Sequence, residues 1–343
     1  MNPAPSIWID LDNAPHAHFF APLISDLRDH GYHPLISIRA FGQTEGLARS
    51  YGMDFTVIGT HVPQSSRAGR VCETLARAAR LVEFGAAHRP IAAVSHGSRS
   101  LTLAAAALSI PSMALYDYEH VSASVFRFCR RVLVPEIVLR NRAPGDDRVG
   151  YPGFKEDVYV SGFRPDPAVL QKLGLDPDRL IVSVRPPATW AHYHSDDSTT
   201  LFRALVEHLR AFSDAQIVVL ARTQEQAAEL ARDFVLDTPP FLLTSEAVDG
   251  LGLLSHSDAT FSGGGTMVRE AALLGVDAYS TFAGRPGAVD LELERLGKLT
   301  MLRSVDEIAN LRLRKRPRTA DHPRASVTRT FILQQILELA AKG

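Results

Sequence analysis

The sequence predicts an α/β protein built from two Rossmann-like, doubly wound domains in tandem. Three observations predict it. Short strand-like apolar runs alternate with helix-length amphipathic runs along the whole chain, the pattern of parallel sheets covered by helices. At 343 residues the chain exceeds the size at which one hydrophobic core usually stops growing. The alternation breaks once, across residues 140–178, a stretch rich in Pro, Gly and Asp that is the expected domain junction. The expected domains are therefore 1–160 and 161–325, with a cleft between them. A last helix, 326–343, follows the completed second sheet and is placed to pack back on the first domain.

The elements follow in order. "SIWID" (6–10) is the first strand, and Phe20, Leu23, Ile24 and Leu27 continue it with i, i+3, i+4, i+7 helical spacing. Pro22 near the helix start and Gly31 just past its end agree with a helix there. Next come "PLISI" (34–38), a helix near Thr44 to Tyr51, "FTVIG" (55–59) and a long helix near Ser66 to Ala87. "IAAVS" (91–95), an alanine-rich helix from Leu101, "SMALY" (112–116), a short helix and "RVLVP" (131–135) complete six strands of a doubly wound domain. The second series is "LIVSV" (180–184), a helix to Phe212, "QIVVLA" (216–221), a helix to Phe234, "FLLT" (241–244), "ATFS" (259–262), "DAYSTF" (277–282) and "LTML" (299–302). The final helix spans about Ser326 to Ala341.

Composition narrows the class. Apolar residues at 45% and charged residues at 22% are globular values, and a net charge of −1 gives no general attraction to nucleic acid. Cys72 and Cys129 lack metal-ligand spacing and suit reduced thiols in a cytoplasmic protein. No secretory-signal pattern and no long uncharged apolar run is present, so a spanning segment is not expected.

The most informative stretch is "SDATFSGGGTMVREAALLGVDAYSTF" (257–282). A strand ends in Ser262-Gly263-Gly264-Gly265 and a helix begins at Thr266, with Met267, Val268, Ala271 and Leu274 apolar. Glycines there let the backbone turn sharply and approach a ligand, and the helix N-terminus attracts phosphate. Glu270, about one turn into the helix, is placed to reach the two hydroxyls of a ribose. Without a ligand, the same residues would be a glycine turn with a solvated glutamate.

This segment resembles the nucleotide-binding segment of GT-B glycosyltransferases, notably the UDP-N-acetylglucosamine transferase of peptidoglycan synthesis, and of the related UDP-N-acetylglucosamine 2-epimerases. The resemblance implies a GT-B fold, two tandem Rossmann-like doubly wound domains facing a central cleft. It also implies diphosphate at Gly263 to Thr266, ribose at Glu270 and uracil at the Ser245 to Leu251 loop. "VSHGSRSLTLAAAALSIPSMALYDYEH" (94–120) is similar to the epimerases' HGD helix, IPV strand and HVEAG segment. Two departures separate the chain from them: Ser98 stands where they carry Asp, and "VRPPATWAHYHSD" (184–196) replaces their HRREN stretch. Taken with "WIDLDNAPHAHFF", "VLVPE" and "YPGFKEDVY", these segments are similar, over nearly the entire chain, to the domain-of-unknown-function 354 family of archaea and bacteria.

Other candidates lie at predicted strand ends. Arg185, followed by Pro186-Pro187, is placed to neutralise a departing diphosphate, as metal-free transferases of this fold require, and His192 and His194 to assist or stay solvated. Asp196 and Asp197 read as helix caps. Arg222 repeats Arg185's position and is a second phosphate candidate or a surface charge. His96, Ser98 and Arg99, and then Glu119 and His120, are either substrate-facing groups or helix-start residues. Lys155 and Glu156 read as a hinge salt bridge or an acceptor contact, and Asp290 as a donor-sugar contact. The long helix carries Arg67, Arg70, Arg77 and Arg80, and Arg67, Arg70 and Arg77 fall close to one face, a solvated basic face or a contact for acidic lipid headgroups.

"IWIDLDNAPHAHFF" (7–20) admits three readings. Asp10-Leu11-Asp12 has the pattern of a phosphatase nucleophile, and Asp10, Asp12, His16 and His18 are chemically suited to a divalent metal. The tandem domains fit a phosphatase badly, and the histidines lie beyond a proline. In the GT-B reading this loop faces the acceptor, so His18 is the expected base, Asp12 orients it, and Asn13 and His16 contact substrate. The sequence thus predicts a metal-independent transferase moving a sugar from a nucleotide donor, expected to be UDP-linked, to a glycan or lipid-linked acceptor. Glu119 is a further acid/base candidate. No cofactor and no nucleic acid are expected, and the expected location is the cytoplasm, with peripheral contact at the inner face of a membrane. The alternatives are a nonhydrolysing 2-epimerase-like enzyme and a nucleotide-sugar-binding module without turnover.

Overall fold

The computed structural model describes residues 4–62, 64, 66–140, 146–187, 196–246, 248–317 and 325–342. The chain divides into two compact units, Met1–Tyr159 with Ser326–Gly343, and Val160–Ala325.

The strands are β1 (Ser6–Leu11), β2 (His33–Ala40), β3 (Thr56–Thr60), β4 (Ala92–His96), β5 (Ser112–Leu115), β6 (Arg131–Pro135) and β7 (Val149–Tyr151) in the first unit. In the second they are β8 (Ile181–Arg185), β9 (Gln216–Leu220), β10 (Phe241–Thr244), β11 (Ala259–Ser262), β12 (Asp277–Ser280) and β13 (Thr300–Met301). The helices are α1 (Pro15–Asp29), α2 (Thr44–Ser50), α3 (Arg67–His88), α4 (Arg99–Ala107), α5 (Asp157–Val160), α6 (Ala168–Leu173), α7 (Asp196–Arg210), α8 (Gln224–Phe234), α9 (Gly250–His256), α10 (Thr266–Leu273), α11 (Ala288–Arg295), α12 (Val305–Ala309) and α13 (Val327–Ala340).

In the first unit the sheet order is β3-β2-β1-β4-β5-β6-β7, and in the second β10-β9-β8-β11-β12-β13. All described strand pairings are parallel. Chain order therefore reverses between β1 and β4 and again between β8 and β11. In open parallel sheets ligands bind outside the C-terminal strand ends at such reversals.

The central strands β1, β4, β8 and β11 are buried on both faces, which explains their continuous apolar runs. Trp8 on β1 anchors one first-unit cluster with Leu35, Leu81, Ala93, Leu101 and Ala104. A methyl at Gly85 of α3 would sit 2.8 Å from the Trp8 ring, so only glycine lets this helix lie so close. In the second unit Val182, Phe202, Leu205, Ile217, Val219 and Phe261 belong to the corresponding cluster. Helix α13 belongs to the first unit: Ile332 and Ile336 are buried, Thr328 Oγ1 donates to the Pro152 carbonyl at 2.6 Å, and Arg329 Nε pairs with Asp26 at 2.7 Å.

Three sequence expectations change. The first sheet has seven strands, because three-residue β7 lies inside the stretch read as junction and is too short to show alternation. Helix α1 starts at Pro15, with Pro22 in its interior, so His16 and His18 sit on its first turn. Arg77, expected on a solvated or lipid-facing surface, is only 4% exposed, while Arg67 and Arg80 remain exposed beside Val71 and Leu75.

Candidate functional site

At the second unit's reversal, Arg185 ends β8 and Ser262 ends β11, and the two are register partners. The Gly263 N–H donates to the Arg185 carbonyl at 3.3 Å, and Ser262 Oγ donates to the Gly264 carbonyl at 3.0 Å. The three glycines serve different ends. A methyl on Gly263 would lie 2.9 Å from Pro187 Cα. Gly264 and Gly265 have φ of 97° and 93°, a region costly for other residues. A methyl on Gly265 would meet nothing within 4 Å, so open space adjoins the start of α10. Gly265 is also the N-cap of α10 and brings no side-chain acceptor of its own.

Arg185 and Arg222 add positive charge here. Burial, then the nearby Arg222 guanidinium, lowers the Arg185 pKa to about 10, and the Glu270 carboxylate opposes that shift. Arg222 donates to the Pro186 carbonyl, its own N–H donates to Gln226 Oε1 at 2.8 Å, and Gln226 Nε2 donates to the Pro187 carbonyl at 3.1 Å. The start of α8 thereby pins the diproline turn. Two cations, one buried carboxylate and a glycine-capped helix start suit a phosphate ester carrying a polyol. Asp290, expected on donor hydroxyls, instead gives both carboxylate oxygens to Arg269, at 2.6 and 3.1 Å, tying α11 to α10. His192 and His194 lie outside the described residues.

At the first unit's reversal, Asp10 is fully buried in a network. Arg77 donates to its two oxygens at 2.7 and 2.8 Å, Ser37 Oγ at 2.7 Å and Ser98 Oγ at 2.6 Å, and Ser37 accepts from Trp8 Nε1 at 2.8 Å. Burial alone would raise the Asp10 pKa, but Arg77 and these hydrogen bonds hold it below the usual value. A sealed, ion-paired carboxylate is no phosphatase nucleophile. Ser98 is equally committed, since its Oγ also caps α4 by accepting from the Leu101 N–H at 3.2 Å.

Asp12 pairs with Arg39 at 3.1 Å and Arg77 at 3.2 Å, although burial still raises its pKa. It does not orient His18 as the sequence reading supposes: its backbone N–H donates to His16 Nδ1 at 3.2 Å, and His18 Nδ1 lies 2.6 Å from the Tyr51 hydroxyl with its ring stacked on Tyr159. Asn13 Oδ1 accepts the Ala14 N–H at 2.8 Å, and Arg99 Nη2 donates to the Ser122 carbonyl at 3.2 Å. Glu119 and His120 pair with each other at 3.5 Å.

The structure brings His16 and His96 together, with ring centroids 5.1 Å apart, and adds a residue that sequence reasoning missed. Asp117 Oδ1 is 3.9 Å from His96 Nε2, and its Oδ2 is 2.8 Å from Lys155 Nζ. Asp117 stands in the quoted "DYEH", but nothing in that stretch tells which acid turns inward. Lys155 lies far along the chain and reaches this strand end only through the fold.

The chain is 28% identical, over 317 residues and 89% of each protein, to an uncharacterized protein of Methanocaldococcus jannaschii. Among solved structures it is similar to the M. jannaschii UDP-GlcNAc 2-epimerase in complex with UDP-GlcNAc and UDP, with TM-score 0.71 and 12% identity over 98% of this chain and 100% of that one. It is also similar to the UDP-GlcNAc 2-epimerase from Neisseria meningitidis bound to UDP-GlcNAc, with TM-score 0.67 and 13% identity over 89% of each. At these identities the likeness is one of fold, the two-domain Rossmann-like GT-B architecture. The family itself is fixed by the match of residues 5–336 to a family model: the chain belongs to the family described as protein of unknown function DUF354.

Proposed function

We propose that this protein is an enzyme that binds a UDP-linked sugar and transfers the sugar to an acceptor hydroxyl, with protein cations in place of a metal at the diphosphate. The observation that carries the reading is the pairing of Arg185 with Ser262 at the β8/β11 reversal, beside open space at Gly265 and with the Glu270 carboxylate near enough to act on the Arg185 charge. In the reading, the α10 N-terminus, Arg185 and Arg222 hold the diphosphate and take up the charge that develops as it leaves. Glu270 accepts from the ribose hydroxyls. The acceptor belongs to the β1/β4 reversal of the first unit.

A second reading is a nonhydrolysing 2-epimerase-like enzyme, favoured by the TM-score of 0.71 to such an enzyme. Against it stands Ser98, which replaces the epimerases' Asp and is consumed by Asp10 and the α4 cap. Incubation with UDP-sugars in deuterated water, without acceptor, separates the two. Slow UDP release with no deuterium at C2 supports transfer, and C2 exchange supports epimerisation. Unchanged UDP affinity in Glu270→Ala would remove the nucleotide site from both.

A further inference from the structure

The β1/β4 reversal holds more buried ionisable groups than an acceptor-binding surface needs. His96, Asp117, Lys155 and Glu156 come from β4, the turn after β5 and the segment before α5, and His16 from α1. Lys155 Nζ reaches Asp117 at 2.8 Å and Glu156 Oε1 at 3.4 Å. Lys155 pairs the two carboxylates, so the cluster can keep its charges although it is largely buried. It is also approachable. His96, Asp117 and Lys155 keep 9%, 12% and 7% of their side-chain surface, and a methyl on neighbouring Gly97 would meet nothing within 4 Å.

We propose that His96 and Asp117 are the proton-transfer pair of this enzyme, with Lys155 as the positioning residue that fixes Asp117 toward the imidazole. This rests on the nucleotide-sugar reading and names the residues that handle the acceptor in it. The acceptor hydroxyl passes its proton to His96 Nδ1 while its oxygen forms the bond to the anomeric carbon. The electron pair of the broken C–O bond leaves with the nucleoside diphosphate. Nε2, which is out of contact with solvent, lies 3.9 Å from Asp117 Oδ1, too far for a hydrogen bond, and that carboxylate stabilises the imidazolium through its charge.

The neighbouring histidines suit this role less. His16 Nδ1 accepts the Asp12 N–H, so its proton is on Nε2, and burial, with His96 and Lys155 nearby, holds it neutral well below the usual pKa. It is a fixed donor. His18 faces a phenol, Tyr51, which stabilises an imidazolium less than a carboxylate does. The groups facing His96 are thus His16 and the edge of Phe19 from α1, Asp117 after β5, and Lys155 with Glu156 behind Asp117.

Imidazole ¹⁵N NMR of the full chain, without nucleotide, tests the pair directly. Asp117→Asn is expected to lower the His96 pKa by about one unit or more, and Lys155→Met to raise it, with Lys155→Arg close to the parent. In turnover of UDP-GlcNAc, Asp117→Asn is expected to lower kcat about tenfold or more at neutral pH while KM changes less than about twofold. A His96 titration that moves less than about 0.3 units in Asp117→Asn overturns the pair. UDP binding by calorimetry is scored separately: its absence overturns the nucleotide reading, whereas the His96 titration needs no nucleotide.

Discussion

Arg77 and Asp10 form a two-point ion pair, 2.7 and 2.8 Å, beneath the C-terminal end of β1, and neither side chain is more than 4% exposed. The pair explains two features at once. It takes Asp10 out of the chemistry suggested by Asp10-Leu11-Asp12, and it draws one arginine of the long helix inward to fix α3 against β1. Removing one partner strands the other charge in a dry site, so Arg77→Met is expected to destabilise the protein by about 3–5 kcal/mol. Urea unfolding monitored by circular dichroism measures it. Because the folded Asp10 pKa lies below the ordinary 3.8, its contribution is complete above that value and is lost as pH falls through the lower folded pKa. Acid unfolding of Arg77→Met is therefore expected at higher pH than in the parent.

The glycine turn separates folding from binding. Gly263→Ala pushes a methyl to 2.9 Å from Pro187 Cα, backbone that Gln226 holds in place, so its expected cost is to stability, about 1–3 kcal/mol. Gly265→Ala meets no neighbour and costs the strain of φ 93° with ψ −163°, a conformation nearly confined to glycine, about 1–3 kcal/mol, but sets its methyl in the space proposed for phosphate. Thermal melts beside UDP titrations distinguish them: Gly265→Ala should still fold cooperatively and lose about tenfold or more in UDP affinity.

Much of this was legible in the sequence, and the boundary is physical. β1, β4, β8 and β11 show as apolar runs because their two faces are both buried, and the glycine turn shows because only glycine adopts φ near 95° there. Helix α3 shows by its period, but its period does not place Arg77. A long aliphatic stem lets a guanidinium cross from the edge of an amphipathic face to a carboxylate on a strand 67 residues earlier. The partners of Asp12, Ser98 and Asp290 were hidden for the same reason, since each is chosen by tertiary packing and not by spacing. Lys155 meeting Asp117 is the clearest case.

His16 gives a pH prediction of opposite sign to a surface histidine's. Its folded pKa is far below the ordinary 6.5, first through burial, so the unfolded chain binds a proton that the folded one refuses. Its contribution is therefore whole above 6.5 and declines as pH falls below that value, by up to about 1.4 kcal/mol per pH unit. His16→Gln keeps an acceptor for the Asp12 N–H and has no proton to gain. Urea midpoints between about pH 7.5 and pH 5 should fall less steeply in the variant than in the parent. Parallel slopes would mean that His16 is protonated without penalty.

Burial, and then the like charge of Arg222, lowers the Arg185 pKa to about 10, and the Glu270 carboxylate opposes that shift. A diphosphate relieves the repulsion. Arg185→Gln is therefore expected to weaken UDP binding by about 10- to 100-fold, the worth of one charge-assisted contact of about 1.5–3 kcal/mol. Uridine, which lacks the phosphates, should bind both proteins equally. The same variant should be no less stable without ligand, since it removes a buried charge facing a like charge. Equal losses for UDP and uridine would place Arg185 at the nucleoside and move the diphosphate elsewhere.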